Sequence, residues 1–355
     1  MKPMTQRALT NRTLDFFLLG GASVIVWLTL LVLAPFKHIQ IVNTHFTNIA
    51  FAASSLAIIV NFPHFMASYK IAYSQGKNFT RKYWFQLLVV PALLVLSLYV
   101  AFLHFKSGNA ESGQSMISAL TNLMFLTVGW HYTKQTFGCM MVYASYDNYK
   151  IKSWQKELLK WTLLFIWFTS YLFNHNIRSN LHWNYHFFTV TLPGWTYVAA
   201  SVLLGVGLLL ILLGIFVKKY LEEKVWPSPN MLIPLIAMFV WWVPVARQYD
   251  FYTYLTPFFH SLQYLAFVYK YETATSSKKD HSQLVLTVFL LIATGWLSFE
   301  LLPSGIDEAF NFKSALGVAF CFTTFTLFLN IHHYFIDNVI WRFNNSEVRS
   351  RILAP

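Results

Sequence analysis

Charge is what this chain has least of. Only 11% of its 355 residues are Asp, Glu, Lys or Arg, and 14 of those are acidic, against roughly 25% charged in soluble domains. That scarcity excludes an ordinary soluble enzyme and a disordered chain alike. Cysteine is nearly absent too. Cys139 and Cys321 both fall inside apolar runs, so they form neither a disulfide framework nor a zinc spacing and read as core residues. There is no glycine-rich phosphate loop, no nucleophile elbow and no HExxH helix. No internal repeat or low-complexity stretch occurs, and Gly and Pro are scattered, so 1–355 reads as a single domain.

What fills the chain is hydrocarbon: 56% hydrophobic and 19% aromatic residues. The fold class expected is all-α, a polytopic integral membrane bundle of about ten transmembrane helices. Apolar segments lie near 15–36, 44–70, 84–105, 116–142, 157–173, 194–217, 231–249, 252–270, 283–302 and 314–341, each close to the ~20 residues that span a bilayer. The first is too long for a signal-peptide core and lacks a cleavage pattern, so it stays as a span. Lys and Arg test the count. With the N-terminus inside, twenty of the 26 fall on the inner side and only Lys37, Lys106, Arg178, Arg247 and Lys313 outside, with Lys134 inside a span. One missed span would invert that asymmetry, so both termini are expected in the cytoplasm, most simply of a bacterial inner membrane. The net charge of +12 then reflects anionic lipid as partner rather than nucleic acid. Pro63, Pro244 and Pro257 lie inside spans and predict kinks. Trp84, Trp195, Trp241, Trp242 and Trp341 sit near span ends and read as an interfacial belt.

Five of the twelve histidines, His64, His131, His260, His332 and His333, fall within spans two, four, eight and ten. Their spacing from the next inner cations, Lys70, Lys270 and Arg342, places them roughly 9–15 Å from the inner surface at 1.5 Å per residue. A lone membrane histidine is usually a packing residue. Four helices with imidazoles at one depth are better explained by a shared polar or metal site, because hydrocarbon offers such groups nothing but one another. Polar neighbours share their faces: Asn61 and Ser68 beside His64, Lys134 and Gln135 beside His131, Gln263 and Tyr264 beside His260, Asn330 and Asp337 beside His333. His332 points about 100° away from His333 and is an alternate ligand.

Imidazoles with one carboxylate suit non-haem iron best, with copper and zinc also open; paired histidines would equally hold a haem. His64, His131, His260, His332, His333 and Asp337 are therefore the candidate metal residues, Asp337 as the carboxylate that orients an imidazole. Tyr264, Tyr334 and Lys134 are candidates for catalytic proton transfer. Lys134 either pairs with Asp337 or snorkels to the inner surface. His175, His182 and His186 form a competing outer cluster if their segment is a short interfacial helix.

Membrane fatty-acid hydroxylases and desaturases carry repeated histidine boxes, whereas here only His332-His333 is a doublet. Single histidines spread over several spans, His64, His131, His260 and His333, instead resemble the Brp/Blh group of β-carotene-cleaving membrane dioxygenases. The resemblance implies an iron-dependent oxidoreductase, with these histidines as ligands and a lipid-soluble substrate entering from the bilayer. Any electrons required would come from a separate donor, since no soluble domain is expected. The same histidines with Lys134 and Asp337 could instead serve a proton-coupled transporter, or a bis-histidine haem protein of electron transfer.

Overall fold

A computed structural model describes residues 7–174, 181–182, 185–242, 252–275, 281–312, 319–342 and 345–353. A helix lies under each of the ten apolar segments. In chain order they are α1 (Arg12–Phe36), α2 (Gln40–Ser74), α3 (Phe85–Lys106), α4 (Ala110–Tyr146) and α5 (Ser153–Asn174). After a hairpin of two-residue strands, β1 (Leu181–His182) and β2 (Tyr185–His186), follow α6 (Gly194–Glu223), α7 (Pro229–Trp242) and α8 (Tyr252–Thr275). Then come α9 (Ser282–Ala309), α10 (Phe320–Ile340) and a short C-terminal α11 (Ser346–Ile352). Five of them, α1, α2, α3, α6 and α9, are long and apolar enough to cross a membrane, consistent with an integral membrane protein.

The layering follows side-chain chemistry. α4 packs against α3, α5, α7 and α10, while the second half of α2 packs against α8, α9 and α10. The central elements are thus α4, α10, α8 and the end of α2, and each carries buried polar groups that a lipid-facing helix could not keep. Pro63 follows a break in α2, where a 3₁₀ turn at Leu56–Ile58 precedes the regular helix Asn61–Ser74. This is the kink expected of a residue that cannot donate to the preceding turn. Pro257 lies inside α8, and Pro244 falls outside the described residues.

Close approach fixes the placement of the second half of α2. A Cβ on Gly295 of α9 would stand 2.7 Å from Phe62 Cβ and 3.0 Å from the Phe62 carbonyl carbon, so only glycine lets α9 lie on the turn that carries His64. α10 is fixed at its start by Asp307, whose carboxylate accepts from the Cys321 and Phe322 amides at 2.8 and 2.9 Å, satisfying donors at the helix N-terminus. In α1 a π-helical segment, Phe17–Gly21, presents the Leu19 carbonyl to Gln263 Nε2 of α8.

Several polar contacts join segments that the charge pattern assigns to one side. Arg12 pairs with Asp147 at 2.5 Å, Lys70 with Glu272 at 2.7 Å and Lys152 with Glu222 at 3.9 Å, and Asn345 donates to Gln75 at 3.0 Å. Every one of these residues belongs to the side expected to be cytoplasmic.

Two expectations change. Trp241 is fully buried and donates to Ser23 Oγ of α1, so it locks α7 to α1 instead of anchoring at an interface. Trp84 and Trp195 are exposed as a belt requires; the Trp242 side chain lies outside what is described. The outer segment holding His182 and His186 pairs as antiparallel strands, Leu181 with His186 and His182 with Tyr185. The i, i+4 helical juxtaposition of these two histidines is therefore absent, and His175 falls outside the described residues. Cys139 and Cys321 are free and buried, as expected.

Candidate metal centre

His64 of α2, His131 of α4, His260 of α8 and His333 of α10 meet at the bundle centre, one ligand atom of each lying within 4.8 Å of all the others. None is more than 5% exposed. His64 Nε2 stands 3.1 Å from His333 Nε2, and His131 Nε2 stands 2.9 Å from His260 Nε2. Nitrogens bound to one ion at about 2.1 Å stand roughly 3.0 Å apart at right angles and roughly 3.4 Å apart at tetrahedral angles. The two separations are of the size that nitrogens sharing one ion would show.

The orientation of His64 is set locally. Its Nδ1 lies 2.6 Å from the Asn61 carbonyl, which can only accept, so Nδ1 carries the proton and Nε2 presents its lone pair inward. Ser261 Oγ approaches the same Nδ1 at 2.9 Å. Aromatic faces clamp the rings. Tyr132 stacks on His260 at 3.9 Å, Tyr334 stacks on His131 at 5.0 Å, and Phe65 lies 4.2 Å from His64 and 4.5 Å from His333. Packing thus fixes the ring positions, and a carbonyl fixes the tautomer of His64.

Asp337 completes the set from α10. Its Oδ1 accepts from Ser68 Oγ at 2.7 Å and from Tyr264 OH at 2.9 Å, and Ser68 and Tyr264 are themselves 2.5 Å apart. Its Oδ2 is buried without a hydrogen-bond donor, 3.4 Å from His333 Nε2 and 3.7 Å from His131 Nε2. The i, i+4 spacing that joins Asp337 to His333 is as expected. Its side is not: the carboxylate faces the inward nitrogens and does not sit behind His333 on Nδ1, which is buried without a partner. An ionised carboxylate is costly at such a place unless it takes up a proton or a cation neutralises it. Four neutral imidazoles and one carboxylate supply that demand and a donor set suited to a divalent transition metal.

The other expected residues disperse. His332 is buried but turned away, with Nδ1 2.9 Å from Tyr69 OH, and it is not among the four converging rings. Tyr334 keeps its ring at the site while its hydroxyl donates to Asn330 Oδ1 at 2.9 Å. Lys134 donates to Asn338 and lies over the Trp130 ring at 4.2 Å; it is exposed and makes no ion pair with Asp337. Gln135 donates to the His260 carbonyl at 3.0 Å and to Gln263 at 3.1 Å, holding α4 to α8 at the level of the histidines. Sequence reasoning did not reach Tyr132, Phe65 or Ser261. Each neighbours a candidate histidine in the chain, and only helix packing turns it onto a ring.

A cavity of about 470 Å³ begins at His131, Asp337, Tyr264 and Tyr334 and runs past Phe137 and Phe267 to Lys134, Arg342 and Arg349. It gives the centre one open side. Comparison of the chain with protein-family models, curated proteins and solved structures finds no match.

Proposed function

We propose that the chain is a ten-span membrane protein with both termini cytoplasmic, of bacterial inner-membrane type, that holds one non-haem metal ion, iron by preference, and oxidises a lipid-soluble substrate. The observation that carries this reading is the convergence of four imidazoles from four helices beside a buried carboxylate oxygen that has no hydrogen-bond donor. The pairing of Arg12 with Asp147, Lys70 with Glu272 and Lys152 with Glu222 supports the topology, since an odd number of misplaced spans between two partners would separate them.

His64, His131, His260 and His333 would hold the ion, which when bound supplies the redox electrons for reaction of dioxygen with a C–H or C=C bond. Asp337 Oδ2, beside the cavity, would help hold the ion or accept a proton leaving the substrate. Ser68 and Tyr264 keep protons at Asp337 Oδ1 and so hold the carboxylate in place. The aromatic cavity excludes water and admits an apolar chain. Iron is preferred because four imidazoles with one carboxylate beside a cavity suit an open non-haem site better than a closed zinc site; copper and zinc remain alternatives for the same ligands. Imidazoles packed in pairs at 3.1 and 2.9 Å leave no slot for a porphyrin, which disfavours haem. The likeness to carotenoid-cleaving dioxygenases makes polyenes and unsaturated lipids the first substrates to try, with a separate electron donor if turnover requires one. A proton-coupled transporter ranks lower, because among the described residues Lys134 makes no ion pair with the Asp337 carboxylate and instead donates to Asn338.

The experiment is elemental analysis with an absorption spectrum on protein purified in mild detergent without chelator. About one iron per chain and no Soret band is expected. Folded, monodisperse protein without any transition metal would overturn the proposal.

A further inference from the structure

The far end of the cavity is chemically unlike its beginning. Lys134, Arg342 and Arg349 line it there, while Asp337, at the metal end, is the single carboxylate among the lining residues. Arg342 Nε donates to the Asn338 carbonyl at 2.7 Å and Lys134 Nζ to the Asn338 side chain, so one residue draws both cations to the rim. Arg349 is brought there by α11, whose Val348 and Ile352 are buried and whose Ile352 carbonyl accepts from Tyr146 OH at 2.5 Å.

Some cations on the side expected to be cytoplasmic have carboxylates: Arg351 pairs with Glu347 at 2.7 Å, Lys70 with Glu272 and Arg12 with Asp147. Among the described residues others, such as Lys77, Arg81, Lys82 and Lys150, have none, and neither do the three rim cations. The rim cations differ from these in lining a cavity. Like charges gathered at the mouth of an apolar cavity repel one another, and an anion seated between them removes that penalty and gains charge-assisted hydrogen bonds.

Resting on the metal-oxidase reading above, we propose that this cavity is the substrate site and that its ligand is a single-chain amphipathic anion. A carboxylate or phosphate head would sit among Lys134, Arg342 and Arg349, with the hydrocarbon chain running inward past Phe267 and Tyr264 to the histidines. The volume falls within the roughly 300–1,000 Å³ typical of small-molecule sites. A head fixed at the rim sets which carbon of the chain reaches Asp337 and His131, so the rim determines position along the chain. The same cations could instead meet the headgroup of a two-chain membrane phospholipid lying outside the cavity, and the test separates the two.

The measurement is competition against radiolabelled oleate on protein in non-ionic detergent, using unlabelled oleate, oleyl alcohol and dioleoyl phosphatidylglycerol. Oleate is expected to compete about tenfold or more better than the alcohol, as one charge-assisted contact provides, and the phospholipid to compete poorly. In the Lys134→Gln, Arg349→Gln double variant the preference for acid over alcohol should shrink to within about threefold. Both substituted side chains are exposed, and metal content read on the same samples should not change. Equal competition by the alcohol, a preference undiminished in the variant, or efficient displacement by the phospholipid would each overturn the inference. Metal bound without an acid preference would remove this inference alone, whereas wild-type protein without metal would remove the functional reading beneath it.

Discussion

α6 and α10 are both membrane-length helices, yet they solve opposite problems. Of the 18 residues in Gly194–Ile211, α6 buries only Ala200 and Ile211; α10 buries fifteen of its 21, including His332, His333, Thr323, Thr324, Thr326 and Asp337. A helix facing lipid must be apolar, because nothing outside can hydrogen-bond to it. A helix enclosed by other helices is free to carry polar groups, provided they meet partners. α10 accordingly falls outside the set recognised as membrane-spanning by length and apolarity, while α6 falls inside it. Low hydropathy in a membrane chain therefore points inward, toward the site.

The contrast is broken most severely at the centre. His333→Ala removes a ligand and leaves His64 Nε2 without its neighbour; metal content by elemental analysis should fall from about one per chain to near zero. Next comes the packing that places the centre. Gly295→Val drives a side chain into Phe62, and overpacking of this kind costs about 1–3 kcal/mol, read as a lower unfolding temperature in detergent together with weakened metal retention. Tyr264→Phe deletes one donor to Asp337 Oδ1. Loss of a partner that holds a ligand-side carboxylate should weaken metal affinity by roughly tenfold, read by chelator competition, with the unfolding temperature nearly unchanged. At the other extreme, Leu203→Ala on the exposed face of α6 should change stability by no more than about 0.5 kcal/mol and leave metal content intact.

Much of the architecture was legible in the sequence, and the reasons are physical. Apolar length located the helices, because hydrocarbon thickness acts on each segment separately. The imidazoles of His64, His131, His260 and His333 stood out because a buried polar group in lipid needs a partner. The i, i+4 relation joining His333 to Asp337, and the divergence of His332, follow from helix geometry alone. Contacts between helices were not legible. Which nitrogen Asp337 faces, the stacking of Tyr132 on His260, the hydroxyl of Ser261 at His64 and the burial of Trp241 against Ser23 all depend on rotation and depth of packed helices, which no single segment encodes. His182 and His186 misled for a related reason. A four-residue spacing predicts a shared face only if the segment is helical, and Leu181–His186 is a hairpin.

The most direct test of the central claim is metal stoichiometry in five single variants: His64→Ala, His131→Ala, His260→Ala, His333→Ala and His332→Ala. All are buried histidines within the same bundle, so His332→Ala controls for the effect of emptying a buried site. The account predicts that each of the first four loses most of the bound metal while His332→Ala keeps about one ion per chain. Metal lost from His332→Ala, or retained in the folded variants of the other four, would contradict it.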